Sequence, residues 1–324
     1  MKSLTILICT HNRVDLLLRT LEYLNAARRP EQWQVDVLVA VNACSDDTLS
    51  QLERLKASSP DALALRWIIE PTPGKSNALN SAIPQIHSEL AAFVDDDHRV
   101  DADYLVNICR AAEQYPNADL FCGRILPDWD GTEPAWVHDK GPYRIYPLPV
   151  PRFDQGKTPK VVGLEGAIPG GGNLFLRRDW FDRVGEFSTE FGPVGHDLGG
   201  AEDLEWVRRA LRLGAQLQYV PDVVQYHYVD QDRLALSYLI KKAYIRSASN
   251  VRLSNDNNTA SGRVPAFMYR KLAGYLLSAV TALSDQRRRF YLVRLAAAMG
   301  EFRGYYHRRR DRLQAQPASN SEKD

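Results

Sequence analysis

The chain has 324 residues, enough for a full hydrophobic core and for one large domain with an accessory segment, since domains typically run to ~100–200 residues. Its formal net charge of +1 hides an asymmetry: residues 231–324 carry 18 Lys and Arg against 7 Asp and Glu, so residues 1–230 are acidic and the C-terminal part is basic. That sign pattern points either to an anionic partner, such as a membrane surface, or to a solvated helical face. The cysteines Cys9, Cys44, Cys109 and Cys122 have no CxxC spacing, so neither a zinc site nor a disulfide framework is indicated, and a reducing cytoplasm fits.

The first apolar run, 4–9, is too short for a signal-peptide core and ends in a polar turn, so it reads as a strand. Runs at 35–41, 65–69 and 90–94 read the same way, and helical spacing fills 14–27, 48–58 and 76–86 between them. This βαβ series predicts a mostly parallel, doubly wound sheet whose loops 10–13, 42–47, 71–75 and 95–99 open on one edge, where such folds bind ligands. From 127 to 159 periodicity gives way to Pro, Gly and aromatics, among them Trp129 and Trp136. A stretch this long is either a substrate-facing wall or a Pro-rich excursion packed for stability. A helix at 201–213, stopped by Gly214, and a strand at 217–220 follow, and the chain is mostly helical from 234.

Asp95, Asp96 and Asp97 leave the fourth strand together, and adjacent carboxylates need a cation, hydrogen bonds or open water to offset their repulsion. The run is therefore a metal site or a solvated turn. Glu202 and Asp203 are either a catalytic acid pair or first-turn charge favoured by the helix dipole, a rule Glu205 also satisfies. Gly74, Lys75 and Ser76 imitate a P-loop, but the earlier glycine would fall at Ile69, so Walker A is rejected and Lys75 reads as a cation near an anion at a helix start. Gly170, Gly171 and Gly172, before Asn173, allow close backbone approach to a ligand or a tight turn. Residues 192–200, with His196, are glycine-rich enough to close over a ligand.

Five features in order, Ile8 to Arg13, Asn42 to Thr48, Pro73 to Asn80, Val94 to Asp97 and Gly200 to Asp203, resemble the family 2 glycosyltransferases, inverting enzymes of the GT-A fold, over residues 1 to about 250. The resemblance implies a GT-A catalytic domain at 1–232, with a nucleotide-binding half to about 125 and an acceptor half at 126–232. A basic helical segment at 233–313 and a tail at 314–324 follow. It implies Asp97 as a ligand for Mg2+ or Mn2+, with His227 as a second ligand or an ordinary core histidine, and Asp203 as general base with Glu202 beside it. Donor contacts would come from Thr10, Asn12, Arg13, Asn42, Lys75, Asp95, Asp96, Gly171, Gly172 and Asn173. Trp129, Trp136 and His196 would face the acceptor. Where many members place a base-contacting aspartate this chain has Val41, so Asn42 or Asp46 is left for that role and UDP, GDP and dTDP donors all stay open.

The implied reaction is sugar transfer from a nucleotide-diphosphate donor to a saccharide or lipid-linked acceptor, in surface polysaccharide or glycolipid synthesis. The implied location is cytoplasmic, peripheral at the inner face of the plasma membrane, with no nucleic-acid partner. The apolar run 272–283 falls short of the ~20 residues that span a bilayer, and with its basic flanks it either lies on an anionic surface or packs on the protein. The rivals are a sugar-phosphate nucleotidyltransferase, which would carry a glycine in loop 10–13, and a silent carbohydrate-binding scaffold.

Overall fold

A computed structural model of the chain describes residues 2–59, 61–189, 202–253 and 264–315. They divide into two compact units, Met1–Asp128 with Pro151–Tyr228, and Trp129–Val150 with the residues from Val229.

The first unit is built on strands β1 (Lys2–Thr10), β2 (Trp33–Asn42), β3 (Ala64–Glu70), β4 (Leu90–Phe93), β5 (His98–Val100), β6 (Leu120–Pro127), β7 (Lys160–Val162), β8 (Leu174–Arg177) and β9 (Leu217–His227). Its helices are α1 (Val14–Ala26), α2 (Thr48–Ser58), α3 (Lys75–Ala82), α4 (Tyr104–Gln114), α5 (Asp179–Val184) and α6 (Glu202–Arg212). The strands form one sheet in the order β3-β2-β1-β4-β8-β6-β9-β5, with β7 on β9. The first four are parallel, as the βαβ spacing predicts. Beyond β4 the sheet is mixed, with β6 parallel to β9. β8 runs antiparallel to β4 and β6, and β5 and β7 run antiparallel to β9. Such pairs need no crossover helix, so the helical spacing that announces a parallel strand is missing there. The strand expected at 217–220 runs on to His227, which places that imidazole at its end rather than in a following loop.

Alternation along β1 explains the layers. Leu4, Ile6 and Ile8 pack on Leu17, Leu21 and Leu24 of α1 and on α4, whereas Leu7 faces Leu79 of α3 in the layer that holds Trp180, Phe181 and Trp206 of α5 and α6. With β2 on one side of β1 and β4 on the other, the chain changes direction between β1 and β4. A crevice opens there at the carboxyl ends of the strands.

The second unit contains α7 (Leu236–Leu253), α8 (Ala266–Val280) and α9 (Asp285–Ala315). Residues 129–150 belong to it, not to the acceptor half expected at 126–232, because Trp136, Val137 and Val150 bury their apolar surface with Val229, Leu234 and Leu239. Helices α7 and α9 approach closely at two glycines one turn apart. A Cβ on Gly300 would lie 2.1 Å from the Tyr244 carbonyl oxygen, and one on Gly304 would lie 2.6 Å from that of Ala248. Among the described residues no helix is long and apolar enough to cross a membrane.

Candidate active site

The three aspartates after β4 have three different surroundings. Asp96 turns inward, where it accepts hydrogen bonds from Thr10 Oγ1 at 2.8 Å and Arg13 Nη1 at 3.2 Å, while its carbonyl accepts one from Thr20 Oγ1. Burial, with the neighbouring Asp97 charge, pushes its carboxyl up to about 6. Asp95 keeps about a third of its side chain exposed and meets Lys75 Nζ at 3.2 Å. Desolvation alone would raise its pKa, but Lys75 and His98 outweigh it and hold the group well below the usual carboxylate range. Asp97 receives Arg13 Nη1 at 3.0 Å and faces two imidazoles, His98 Nε2 at 3.8 Å and His227 Nε2 at 3.7 Å.

Hydrogen bonding fixes the tautomers of both histidines. Asn173 Nδ2 donates to the carbonyls of Arg124 and Val223, which leaves its Oδ1 toward Gln225 Nε2 at 3.1 Å. Gln225 Nε2 also donates to the Phe93 carbonyl, so its Oε1 is the acceptor that meets His98 Nδ1 in a short contact. Nδ1 must then carry a proton, so in the neutral ring Nε2 is the nitrogen with the lone pair. That atom is buried and has no hydrogen-bond partner. His227 repeats the arrangement, with Nδ1 against the Tyr228 carbonyl at 2.5 Å. Burial lowers its pKa and favours the neutral ring. One ligand atom from each of Asp97, His98 and His227 lies within 4.8 Å of the others. Two imidazole nitrogens and a carboxylate oxygen so placed fit a divalent cation.

A second group of charges stands beside this cluster. Asn42 pins the turn into α3, its Oδ1 accepting from Gly74 N at 2.8 Å and its Nδ2 donating to the carbonyls of Glu70 and Thr72. Gly74 takes φ 129°, in the region that favours glycine. The helix then starts at Lys75, whose Nζ lies 3.3 Å from Asp203 Oδ2, 3.2 Å from Asp95 Oδ1 and 3.9 Å from Glu202 Oε1. Burial would depress the ammonium, but Asp203, Asp95 and Glu202 outweigh it and raise its pKa. Glu202 is 1% exposed with Oε2 unpartnered, and burial followed by repulsion from Asp203 pushes its carboxyl up to about 7. The third acid of that first turn, Glu205, pairs instead with Arg209 at 2.7 Å. Dipole preference treats the three alike, so it does not account for two of them converging on Lys75.

The glycines fit against both groups. A Cβ on Gly171 would come within 2.3 Å of Asp203 Cγ, and one on Gly172 within 2.7 Å of Asp95 Oδ2. Close approach, rather than a turn, is what demands glycine here.

Several residues expected at the donor are occupied within the protein. Thr10 and Arg13 hold aspartates, Asn42 braces the α3 turn, and Asn12 Oδ1 accepts from the backbone of Ser45 and Asp46. Asn173 is 1% exposed and orients Gln225. Trp136, 9% exposed, fills the core of the second unit with Trp129 packed against it, so both serve local packing where acceptor stacking was expected. His196 and the loop expected at 192–200 lie outside the described residues. Sequence reasoning missed His98 and Gln225. Only the adjacency of His98 to the aspartate run hinted at it.

The carboxylate and imidazole cluster thus stands beside a buried acid pair in a crevice at the switch point of an α/β sheet. The sequence profile described as "Glycosyl transferase family 2" matches residues 5–185, and the chain belongs to this family of glycosyltransferases. It is 24% identical over 249 residues to the succinoglycan biosynthesis protein ExoM of Rhizobium meliloti (strain 1021), which covers 76% of this chain and 73% of ExoM. Among solved structures it is similar to the mannosyltransferase PcManGT from Pyrobaculum calidifontis in complex with GDP-Man and Mn2+ (TM-score 0.55, 19% identity, 94% of this chain and 87% of that one). It is also similar to S. aureus TarS 1–349 in complex with UDP-GlcNAc (TM-score 0.53, 16% identity, 100% and 95%). The chain spans 55% of a longer TarS structure. These likenesses establish the GT-A fold.

Proposed function

We propose that the chain is a metal-dependent, inverting glycosyltransferase that moves a sugar from a nucleotide-diphosphate donor to an acceptor hydroxyl in surface polysaccharide or glycolipid synthesis. The observation that carries this reading is the pairing at one sheet edge of the Asp97, His98 and His227 cluster with the Glu202 and Asp203 pair, joined through Lys75 and Asp95. Asp97, His98 and His227 hold the metal, and two imidazoles in the ligand set favour Mn2+ over Mg2+. When bound, the metal offsets charge that develops on the departing nucleotide diphosphate. Asp203 takes the proton of the acceptor hydroxyl as it attacks the anomeric carbon from the face opposite the leaving group, which inverts the centre in one displacement. Gly171 leaves the carboxylate its space. Support for the pathway comes from the name of the ExoM relative, and two solved neighbours are in complex with GDP-Man and UDP-GlcNAc, while UDP, GDP and dTDP donors all stay open for this chain. The first unit is then the catalytic domain. The basic second unit suits a peripheral position at the inner face of the plasma membrane.

Thermal shifts with UDP-, GDP- and dTDP-sugars, with and without Mn2+, identify the donor, because a ligand that binds the native state raises its stability. With that donor, Asp203→Asn should retain binding and lose roughly 10²–10⁴-fold in transfer, the usual range for a general base. Near-normal turnover in Asp203→Asn would remove the base assignment, and a product with retained anomeric configuration by NMR would remove the inverting one.

A further inference from the structure

Within the second unit, α7, α9 and residues 144–149 line a solvent-open cavity of about 210 Å³, with Arg144, Arg246 and Arg294 exposed at its rim. Its floor is apolar, with Leu239, Phe290 and Val293 among the lining, and four cations stand around it: Arg144, Lys242, Arg246 and Arg294. No acidic side chain lines it. Two other cations of this unit have carboxylate partners, Arg289 with Asp139 at 3.4 Å and Lys271 with Glu301 at 2.7 Å. Among the described residues these four have none. Arg144 and Arg294 lie instead over the rings of Tyr146 and Phe290. Lys242 is half-buried, and burial together with Arg233 and Arg246 lowers its pKa, as expected where like charges crowd without an anion.

Unpaired cations over an apolar floor match a ligand that is anionic at one end and hydrocarbon at the other. The volume is below the roughly 300 Å³ at which drug-sized ligand sites begin, so it accommodates a headgroup and its first carbons and leaves a longer chain outside. A free nucleotide or sugar phosphate would leave the apolar floor unused. We propose that this cavity is a binding site for the phosphate or diphosphate ester of a hydrocarbon-chain amphiphile. The proposal deepens the glycolipid part of the proposed function by naming a partner class, but it does not rest on the roles of Asp203 or the metal cluster.

The test uses the full chain in EDTA, which keeps diphosphates from being held through a metal at the catalytic cluster, and geranyl diphosphate as probe, followed by isothermal titration. Geranyl diphosphate should bind at least tenfold more tightly than either inorganic diphosphate or geraniol. The Lys242→Gln/Arg246→Gln double variant, checked for native circular dichroism, should lose at least tenfold in affinity. No binding by the unsubstituted chain, or unchanged affinity in the double variant, overturns the site. Equal affinity for inorganic diphosphate overturns the amphiphile and leaves a free-anion site. If the double variant falls short of native circular dichroism, single Lys242→Ala and Arg294→Gln variants carry the same comparison. Donor binding in Mn2+ is measured in parallel, so that loss of the glycosyltransferase reading is seen separately from loss of this one.

Discussion

Glu202 is a nearly inaccessible acid with one carboxylate oxygen unpartnered, and its proton is worth more to the folded than to the unfolded chain. Its pKa rises from the ordinary 4.5 to about 7, so its contribution to stability is fully present below about 4.5 and is lost as pH rises through 7. Glu202→Gln should therefore flatten the decline in stability between pH 5 and 8, as read by urea denaturation at a series of pH values, and an unchanged slope would show that Glu202 is not protonated in the native state. The aspartate run and the acid pair were legible because each sits at one place in the sequence. The tautomer of His98 was not. It depends on Gln225, 127 positions away, whose amide is in turn oriented by Asn173 and a strand carbonyl, and no local spacing carries that information.

At the scale of elements, Lys75 ties the start of α3 to the first turn of α6. Lys75→Met leaves Asp95, Asp203 and Glu202 without their shared cation. Removing one partner of a buried ion pair costs ~3–5 kcal/mol, and because Lys75 keeps 24% of its side chain exposed the expected loss is smaller, about 1–3 kcal/mol. Transfer should fall with it, and a variant of unchanged stability would mean that the ion pairs contribute nothing net. Helices α7 and α9 make a sharper comparison. Gly300→Ala would push a methyl group into backbone of α7, an overpacking penalty of about 1–3 kcal/mol. Gly274→Ala on the open face of α8 meets nothing within 4 Å and should stabilise by up to ~1 kcal/mol through helix propensity. Equal thermal shifts in the two variants would count against the close α7–α9 packing. The parallel strands were readable from alternation with helices, whereas β5 and β7, three residues each, carry too short a pattern to signal their pairing.

Over the whole molecule, the acidic and basic parts of the sequence correspond broadly to the two units, except that residues 129–150 join the second. Composition registered the charge but not that excursion, because its place is set by where Trp136 and Val150 find apolar partners. One feature of the first unit reaches across the whole reaction. The ammonium of Lys75 touches Asp95 on the donor side and the proposed base Asp203 on the acceptor side, so one cation is shared between the two carboxylates. A nucleotide diphosphate bound beside Asp95, as the proposed function has it, would compete for that same ammonium and release the carboxylate. On the proposed function, Lys75 would then act as an interlock that keeps the acceptor half idle until a sugar is available. The kinetic signature is compulsory order: nucleotide product competing with the donor and not with the acceptor, and no acceptor binding to the donor-free protein. Tight acceptor binding without donor would show that no such interlock exists.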